Sequence, residues 1–317
     1  MKTIKILFFI LLLFLFYVSI KNIDIKLFID NFDSDFTKGL LFAQIPIFAS
    51  AIFFTIRHMF FINKSLSFSI AFNAMLLSVG LNYVLPARVS EFIKATYIKE
   101  KSNIEFSVGI GAVFLERFAD LIVLSIITFS SLVFLAIDLQ GSSFIFILPF
   151  IGLVALIIYL EKYILIIIEK VIPYNRVKNF LKNTYIHIRK QLFTKKFIIG
   201  LLYSFFIWFF SALTIFVFLN IAGEIQLNST QVLLILIGGS IGLAIPALPG
   251  GLGTFEAIVV TILMKYGYDF NSSLALAIGL RINNMLLVLP YALIIAFKNG
   301  TGLKNLYQDL KKKVDKI

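Results

Sequence analysis

The sequence predicts an all-α polytopic membrane protein, with six full spans and two re-entrant helical hairpins arranged as an inverted repeat. Three observations lead to this prediction. Of the 317 residues, 60% are hydrophobic and 36 are phenylalanine, well above the roughly half-apolar composition of soluble domains. The apolar residues form long runs, with most Lys and Arg placed between them. Two of the runs end in a proline-containing break that recurs along the chain.

Six apolar runs are long enough to cross a bilayer as helices. A hydrocarbon core of about 30 Å requires about 20 helical residues. The runs lie near 4–20, 39–57, 106–136, 143–161, 197–221 and 272–297. The first run follows Lys2 and Lys5, as a signal peptide would, but no small-x-small cleavage site comes after it. We therefore expect a retained span.

Two further apolar stretches, 67–85 and 231–247, run into prolines and are followed by shorter, more polar helices. Pro86, Pro246 and Pro249 are the expected structural hinges. A complete crossing by 67–85 would put the basic residues of 88–101 opposite the other basic segments, against the positive-inside rule. We therefore predict that hairpins 67–105 and 231–266 each enter the membrane and return to the same side. Non-helical backbone at that depth must be covered by protein or water, so both hairpins should lie centrally.

This topology sorts the basic residues by side. It puts 23 of the 29 Lys and Arg on the cytoplasmic face, including Arg57 and Lys94, and leaves Arg117 and Arg281 within the bilayer. We expect a multi-pass protein of the cytoplasmic (inner) membrane with both termini in the cytoplasm. Segment 162–196 should be a basic amphipathic connector on the anionic leaflet, because apolar residues recur at helical spacing over 177–192. Segment 298–317 should be a basic cytoplasmic tail.

The two breaks resemble each other in sequence. LPARVSE occupies 85–91 and LPGGLGTFE occupies 248–256. Glu91 precedes Arg117 by 26 residues, and Glu256 precedes Arg281 by 25. We predict a first inverted repeat over 39–136 and a second over 197–297, an architecture typical of secondary transporters. The alternative is chance, since Pro and Gly are common in membrane helices.

The segment FLERFAD brings three charged residues into the middle of an apolar run. A charged side chain there costs about 2.5–3.5 kcal/mol on insertion scales, so it is usually functional. Glu116 and Asp120 share one helical face, and Arg117 is three residues from Asp120. One interpretation is a self-neutralising triplet that only holds helices together. The other is that arginine forks bind a lipid phosphate, while carboxylates neutralise the empty pocket. The charged residues of this predicted binding site are Arg88, Glu91, Glu116, Arg117, Asp120, Glu256 and Arg281.

The turn PALPGGLGTFE adds a possible anion site. Gly250, Gly251 and Gly253 permit close backbone approach, and the helix that begins near Thr254 directs free amides at the turn. Tight packing is an equally good explanation of the glycines. The turn is not a P-loop, because no Gly-Lys-Ser/Thr follows.

Other classes of site have little support. The chain has no cysteine, which excludes disulfides and thiolate chemistry. His58 and His187 are 129 positions apart, and we interpret both as interfacial or solvated rather than as ligands. We predict no catalytic residue, metal site or cofactor. The net charge of +12 is explained by residues flanking the spans, so no nucleic acid partner is expected.

Three motifs in order, LPARVSEFIKATYI, FLERFAD and PALPGGLGTFE, resemble the lysylphosphatidylglycerol synthase transmembrane-region family, a flippase-like membrane domain. Over roughly 5–300, its Pro-x-Arg-x-Gly-Glu motif matches Pro86, Arg88 and Glu91, with Ser90 in place of Gly. Its Glu-Arg-x-x-Asp pattern matches Glu116, Arg117 and Asp120. The remaining motif matches Pro249, Gly250, Gly251, Gly253 and Glu256.

The resemblance implies lipid translocation rather than enzymatic activity, since we find no soluble aminoacyl-transferase domain of the kind that full-length synthases carry. The expected cargo is an anionic phospholipid or a polyprenyl-phosphate lipid, with envelope biosynthesis enzymes as possible partners. The alternatives are a membrane glycosyltransferase or an accessory subunit of envelope glycan assembly, and a scaffolding protein. The sequence leaves the oligomeric state undetermined.

Overall fold

The computed structural model describes residues 25–85, 88–136, 163–223, 226–244 and 249–298. Helices make up the regular structure of these residues, with no strand among them, which confirms the all-α prediction. In chain order they are α1 (Ile25–Asp30), α2 (Ser34–Phe42), α3 (Gln44–Ile62), α4 (Phe68–Leu81), α5 (Val89–Ser102), α6 (Phe106–Ala136), α7 (163–171), α8 (Asn175–Leu192), α9 (Lys195–Ala222), α10 (Ser229–Ala244), α11 (Thr254–Lys265), α12 (Phe270–Met285) and α13 (Val288–Lys298).

Three helical segments are long and apolar enough to cross a membrane: Ser34–Ile62, Lys195–Ala222 and Phe270–Lys298. They correspond to the predicted runs 39–57, 197–221 and 272–297. Helix α6 is longer still, at 31 residues, but carries the charged triplet. The runs 4–20 and 143–161, the hinges Pro86 and Pro246, and the tail beyond residue 298 lie outside the described residues.

Local sequence sets the boundaries of several helices. Asp33, Ser67 and Asp269 each accept hydrogen bonds from backbone amides at the start of α2, α4 and α12, which satisfies donors that have no partner within the helix. Asn63 and Asn103 take left-handed conformations, with φ of 53° and 55°, at the ends of α3 and α5. Asparagine tolerates this conformation better than most residues, so it is a suitable stop.

The order of elements is the same in both halves of the chain. A long helix (α3 or α9) is followed by a helical hairpin (α4–α5 or α10–α11) and then by helical segments containing the predicted arginine (α6 or α12–α13). Helices α3 and α9 pack against each other along the centre, with the Phe53 and Phe206 rings stacked at 5.1 Å. Helix α4 packs against α13, where Gly80 lies directly against Ala292 and Val288. These two helix pairs are among the contacts that join the halves.

Helix α8 packs on the protein along part of its apolar side. The Phe180 ring stacks on Phe106 at 5.6 Å, Tyr185 is buried, and the His187 Nε2–H donates a hydrogen bond to the Phe61 carbonyl at 2.9 Å. These contacts seat α8 against α6 and α3, and the placement of the connector on a lipid leaflet stays a prediction. The basic residues Arg176 and Lys190 are exposed.

Candidate functional site

A cavity of about 330 Å³ lies where the two halves of the chain meet. Most of its wall is apolar, and side chains of both hairpins and of the long helices contribute to it. The polar or aromatic residues among those that line it are Ser50, Phe54, Tyr83, Arg117, Asp120, Trp208, Ser211, Thr214, Ser240, Phe255 and Asn284. An enclosure of this size, apolar with few polar groups, is typical of a small-molecule site.

Arg117 is the basic residue on the cavity wall among the described residues. Its side chain is 40% exposed, and its Nε lies 3.0 Å from Glu91 Oε1, at an angle too poor for a hydrogen bond. Its Nη1 donates to Asp120 Oδ2 at 3.4 Å. These contacts are long or poorly aligned for charge-assisted hydrogen bonds. Arg117 is thus a loosely held cation.

Asp120 has better partners than Arg117. It forms a short ion pair with Arg57, whose Nη2 also lies 3.4 Å from Asp120 Oδ2. Trp208 Nε1 donates to Asp120 Oδ1 at 3.3 Å. Arg57 is fully buried, and its Nη1 donates to Ser204 Oγ at 2.6 Å. The Asp120 carboxylate therefore stays neutralised even if Arg117 moves away.

Glu116 is held in a separate buried group. Lys94 Nζ donates to both carboxylate oxygens at 2.9 Å, and His58 Nδ1 lies 2.7 Å from Oε1. None of the three side chains is more than 2% exposed. Glu116 was predicted to bind substrate beside Arg117, but it does not line the cavity and its oxygens are occupied.

Arg57, His58 and Lys94 belong to these buried charged groups, and sequence reasoning missed them. We assigned Arg57 and Lys94 to the cytoplasmic face and interpreted His58 as interfacial or solvated. The structure buries all three, so the interpretation of His58 as solvated is wrong, while the side of the membrane on which Arg57 and Lys94 lie stays a prediction. One signal was available: the run FFTIRHMFFI stays apolar for more than a turn after Arg57, so α3 extends to Ile62, beyond the predicted end at 57. For Lys94 the sequence offered no comparable signal.

The second arginine is tightly fixed. Arg281 forms a bidentate ion pair with Glu256, with Nη2–Oε2 at 3.0 Å, and donates to the carbonyls of Gly250 and Gly251 at 2.8 and 3.1 Å. Its side chain is 10% exposed. Four acceptor contacts leave little of the fork for a ligand, so Arg281 stabilises the turn of the second hairpin.

That turn does not present a free anion site. Gly250, Gly251 and Gly253 have φ of 60°, 64° and 84°, values that favour glycine. The Glu256 carboxylate accepts from the Gly253 amide at 2.8 Å, so the protein's own anion occupies the start of α11. Gly250 also lies against Tyr83 of the first hairpin. Close packing therefore explains the glycines better than the predicted anion site does.

The structure pairs each of the two glutamates with the arginine that follows it at the repeated spacing. Glu91 lies beside Arg117, and Glu256 beside Arg281, so the same pair occurs in both halves. Arg88 is different. It is exposed, has a φ of 55° before α5, and has no ion-pair partner among the described residues. The three predicted arginines therefore do not form one phosphate site.

Comparisons with known proteins agree with these motifs. Residues 3–291 match the model of the family described as lysylphosphatidylglycerol synthase TM region. The chain is also similar to the UPF0104 membrane protein MJ1078 of Methanocaldococcus jannaschii, with 28% identity over 208 residues. This match covers 64% of the chain and 86% of the relative.

Proposed function

Because the chain belongs to the lysylphosphatidylglycerol synthase TM region family, we propose that this multi-pass membrane protein moves an anionic lipid across the cytoplasmic membrane. The cargo class is a phospholipid or a polyprenyl-phosphate lipid. Its head group enters the cavity between the two halves, and its phosphate binds Arg117. The acyl or prenyl chains stay against the apolar walls and the surrounding bilayer.

The observation that carries this proposal is the state of Arg117. It faces a largely apolar cavity, its side chain is 40% exposed, and its contacts with Glu91 and Asp120 are weak. A guanidinium presents a planar fork that suits phosphate oxygens. Asp120 remains paired with Arg57, so a phosphate can replace it on Arg117 without leaving a buried carboxylate unpaired. Such a replacement avoids the cost of an isolated buried charge.

Helix lengths support the proposed re-entrant topology. The arms of the first hairpin have 14 residues each, and those of the second have 16 and 12. At 1.5 Å per residue these arms are about 18–24 Å long, short of the roughly 30 Å hydrocarbon core. The proposal includes six spans, an inverted repeat and cytoplasmic termini. Two such halves can alternate access around a central site.

The two Glu–Arg pairs suggest how access alternates. The Arg281–Glu256 pair is closed and backed by two carbonyls, whereas the Arg117–Glu91 pair is open to the cavity. In our proposal, the cavity of this conformation is open to lipid on the side of the first hairpin and closed on the side of the second. The opposite conformation loosens Arg281 and closes Arg117.

A glycosyltransferase is less well supported. Glu116 and Asp120 are each bound to a basic side chain, which suits neither metal binding nor general base catalysis. Sugar transfer by the purified protein would reverse this ranking.

The direct test is lipid movement in proteoliposomes. Head-group-labelled phosphatidylglycerol or a polyprenyl phosphate should cross the membrane faster in vesicles that contain the purified protein than in empty vesicles. The rate for labelled phosphatidylcholine should be the same in both. Arg117→Gln should reduce the rate of translocation by roughly tenfold or more, because a lost hydrogen bond to a charged group costs about 1.5–3 kcal/mol. Lys182→Gln is the matched control, because it also removes one basic residue, but from an exposed ion pair with Glu169. Folded protein that moves none of the anionic lipids would refute the proposal.

A further inference from the structure

Three basic and three acidic side chains lie at the cavity wall or are buried behind it, in two groups of ion pairs, one of four residues around Asp120 and one of Lys94 with Glu116. They are Arg57, Lys94, Arg117, Glu91, Glu116 and Asp120. With the carboxylates ionised and His58 neutral, their charges sum to zero. A lipid phosphate on Arg117 adds one negative charge. Uncompensated charge in a low-dielectric site is costly, so binding is favoured if one positive charge arrives with the lipid.

His58 can supply that charge. Its Nδ1 lies 2.7 Å from Glu116 Oε1, so Nδ1–H donates to the carboxylate and the lone pair lies on Nε2. That Nε2 is buried and has no hydrogen-bond partner among the described residues. A proton there leaves the bond to Glu116 intact and puts an imidazolium beside a carboxylate. A neutral imidazole has a free ring nitrogen that can accept a proton, which the charged arginines and lysine of the cluster lack.

The carboxylates are poorer proton acceptors in this geometry. Glu116 accepts from Lys94 through both oxygens, so protonating it would leave the buried ammonium without a counter-ion. Asp120 has the same role toward Arg57. The charged neighbours of His58 are Glu116 from α6, Lys94 from α5 and Arg57 from its own helix. Arg57 in turn binds Asp120 of α6 and the neutral Ser204 of α9, and Trp208 of α9 also binds Asp120.

We propose that His58 is the coupling site of transport and takes up one proton when an anionic head group binds Arg117, so that lipid and proton cross together. This rests on the proposed function. Because coupling between two sites is reciprocal, lowering the pH strengthens lipid binding, by roughly up to tenfold per pH unit for one linked proton.

The test uses proteoliposomes that contain an entrapped pH dye and labelled phosphatidylglycerol. Lipid movement should be accompanied by proton movement in the same direction, and an acidic pH on the side of departure should accelerate it. His58→Asn keeps an amide donor near the position of Nδ1 but cannot take up a proton. It should abolish the proton signal and the response to the pH gradient. His187→Gln removes the other histidine, retains a donor toward Phe61, and should behave as wild type.

The alternative results are distinguishable. Lipid movement without proton movement in the wild type would overturn the coupling and leave the transport function standing. Proton movement retained in His58→Asn would overturn the assignment to His58. Absence of lipid movement in the wild type would refute both. A further check is nitrogen-15 NMR of the two labelled histidines. The His58 signal is identified by its absence from the spectrum of His58→Asn. Addition of phosphatidylglycerol should shift this signal to that of an imidazolium. An unchanged signal in lipid-bound protein would also overturn the proposal.

Discussion

Lys94 and Glu116 form an ion pair that is almost completely removed from solvent, with the ammonium 2.9 Å from both carboxylate oxygens. The two residues are 22 positions apart and connect the first hairpin to α6. The pair determines how that hairpin is seated against the helix that carries Arg117.

Removing one member of this pair should be more damaging than removing both. Lys94→Met leaves Glu116 buried with only His58 as a partner, and should lower the free energy of unfolding by about 3–5 kcal/mol. The double variant Lys94→Met, Glu116→Leu leaves no buried charge at this position and should recover most of the loss. Unfolding in detergent, followed as a double-mutant cycle, measures the coupling. Additive effects would show that the pair is not a unit.

Substitution of Arg117 and of Arg281 should have different effects on stability and on lipid binding. Arg117→Gln loses a poorly aligned ion pair with Glu91 and a long contact with Asp120, and should cost less stability than Arg281→Gln because the Arg117 side chain is 40% exposed. Arg281→Gln loses a bidentate pair and two carbonyl contacts, and should cost about 3 kcal/mol. The measurements are the thermal midpoint and the anionic lipid that co-purifies, read by native mass spectrometry. Lipid should be lost in folded Arg117→Gln. Retention of lipid there would contradict the assignment.

In the second hairpin, alanine substitution should lower the free energy of unfolding more at Gly242 than at Gly238, one helical turn away. A methyl group at Gly242 would lie 2.8 Å from Phe255 Cα and 2.9 Å from the Thr254 carbonyl oxygen, both backbone atoms. One at Gly238 would meet only side-chain atoms, Ile262 Cδ1 at 2.7 Å and Ile258 Cγ2 at 2.9 Å, which can shift more readily than backbone atoms. Gly242→Ala should therefore cost about 1–3 kcal/mol through overpacking, and Gly238→Ala considerably less. Equal thermal midpoints would contradict this packing.

Trp208 should report occupancy of the cavity. It is the sole tryptophan of the chain and lies on the cavity wall. Phosphatidylglycerol with brominated chains should quench its fluorescence at a lower mole fraction than brominated phosphatidylcholine does. The difference should vanish in Arg117→Gln. Identical quenching by both lipids in wild-type protein would show that Trp208 senses only the lipids around the protein, and would contradict binding in the cavity.

Stability should fall below neutral pH because of His187. Burial lowers the pKa of this imidazole below its usual value, and the nearby Lys64 and Lys190 act in the same direction. The neutral form is therefore favoured in the folded state. Its contribution is fully present above about pH 6.5, the unfolded pKa, and is lost as the pH falls toward the lower folded pKa. The thermal midpoint should drop over that range, and less so in His187→Gln.

The sequence by itself determined the membrane character of the chain, its helical class, and the charged residues that recur in each half. Hydropathy predicted the apolar runs because hydrophobicity is a local property. The spacings from Glu91 to Arg117 and from Glu256 to Arg281 showed that the two halves have a similar order of residues, and the structure then showed that each glutamate pairs with its arginine. Topology in the membrane, the inverted relation of the halves and lipid movement stay predictions.

Only the tertiary structure decided which charges share an environment. Arg57 binds Asp120, which lies 63 positions further along the chain. The positive-inside rule could not predict this contact, because it counts the charges of each segment and does not consider which face of a helix packs against a neighbour. Arg281 and Arg117 lie at nearly the same spacing from their glutamates, 25 and 26 residues, but Arg281 is held more tightly because two turn carbonyls bind it. Burial and competing partners depend on how whole helices pack, and these determine which arginine is available to a ligand.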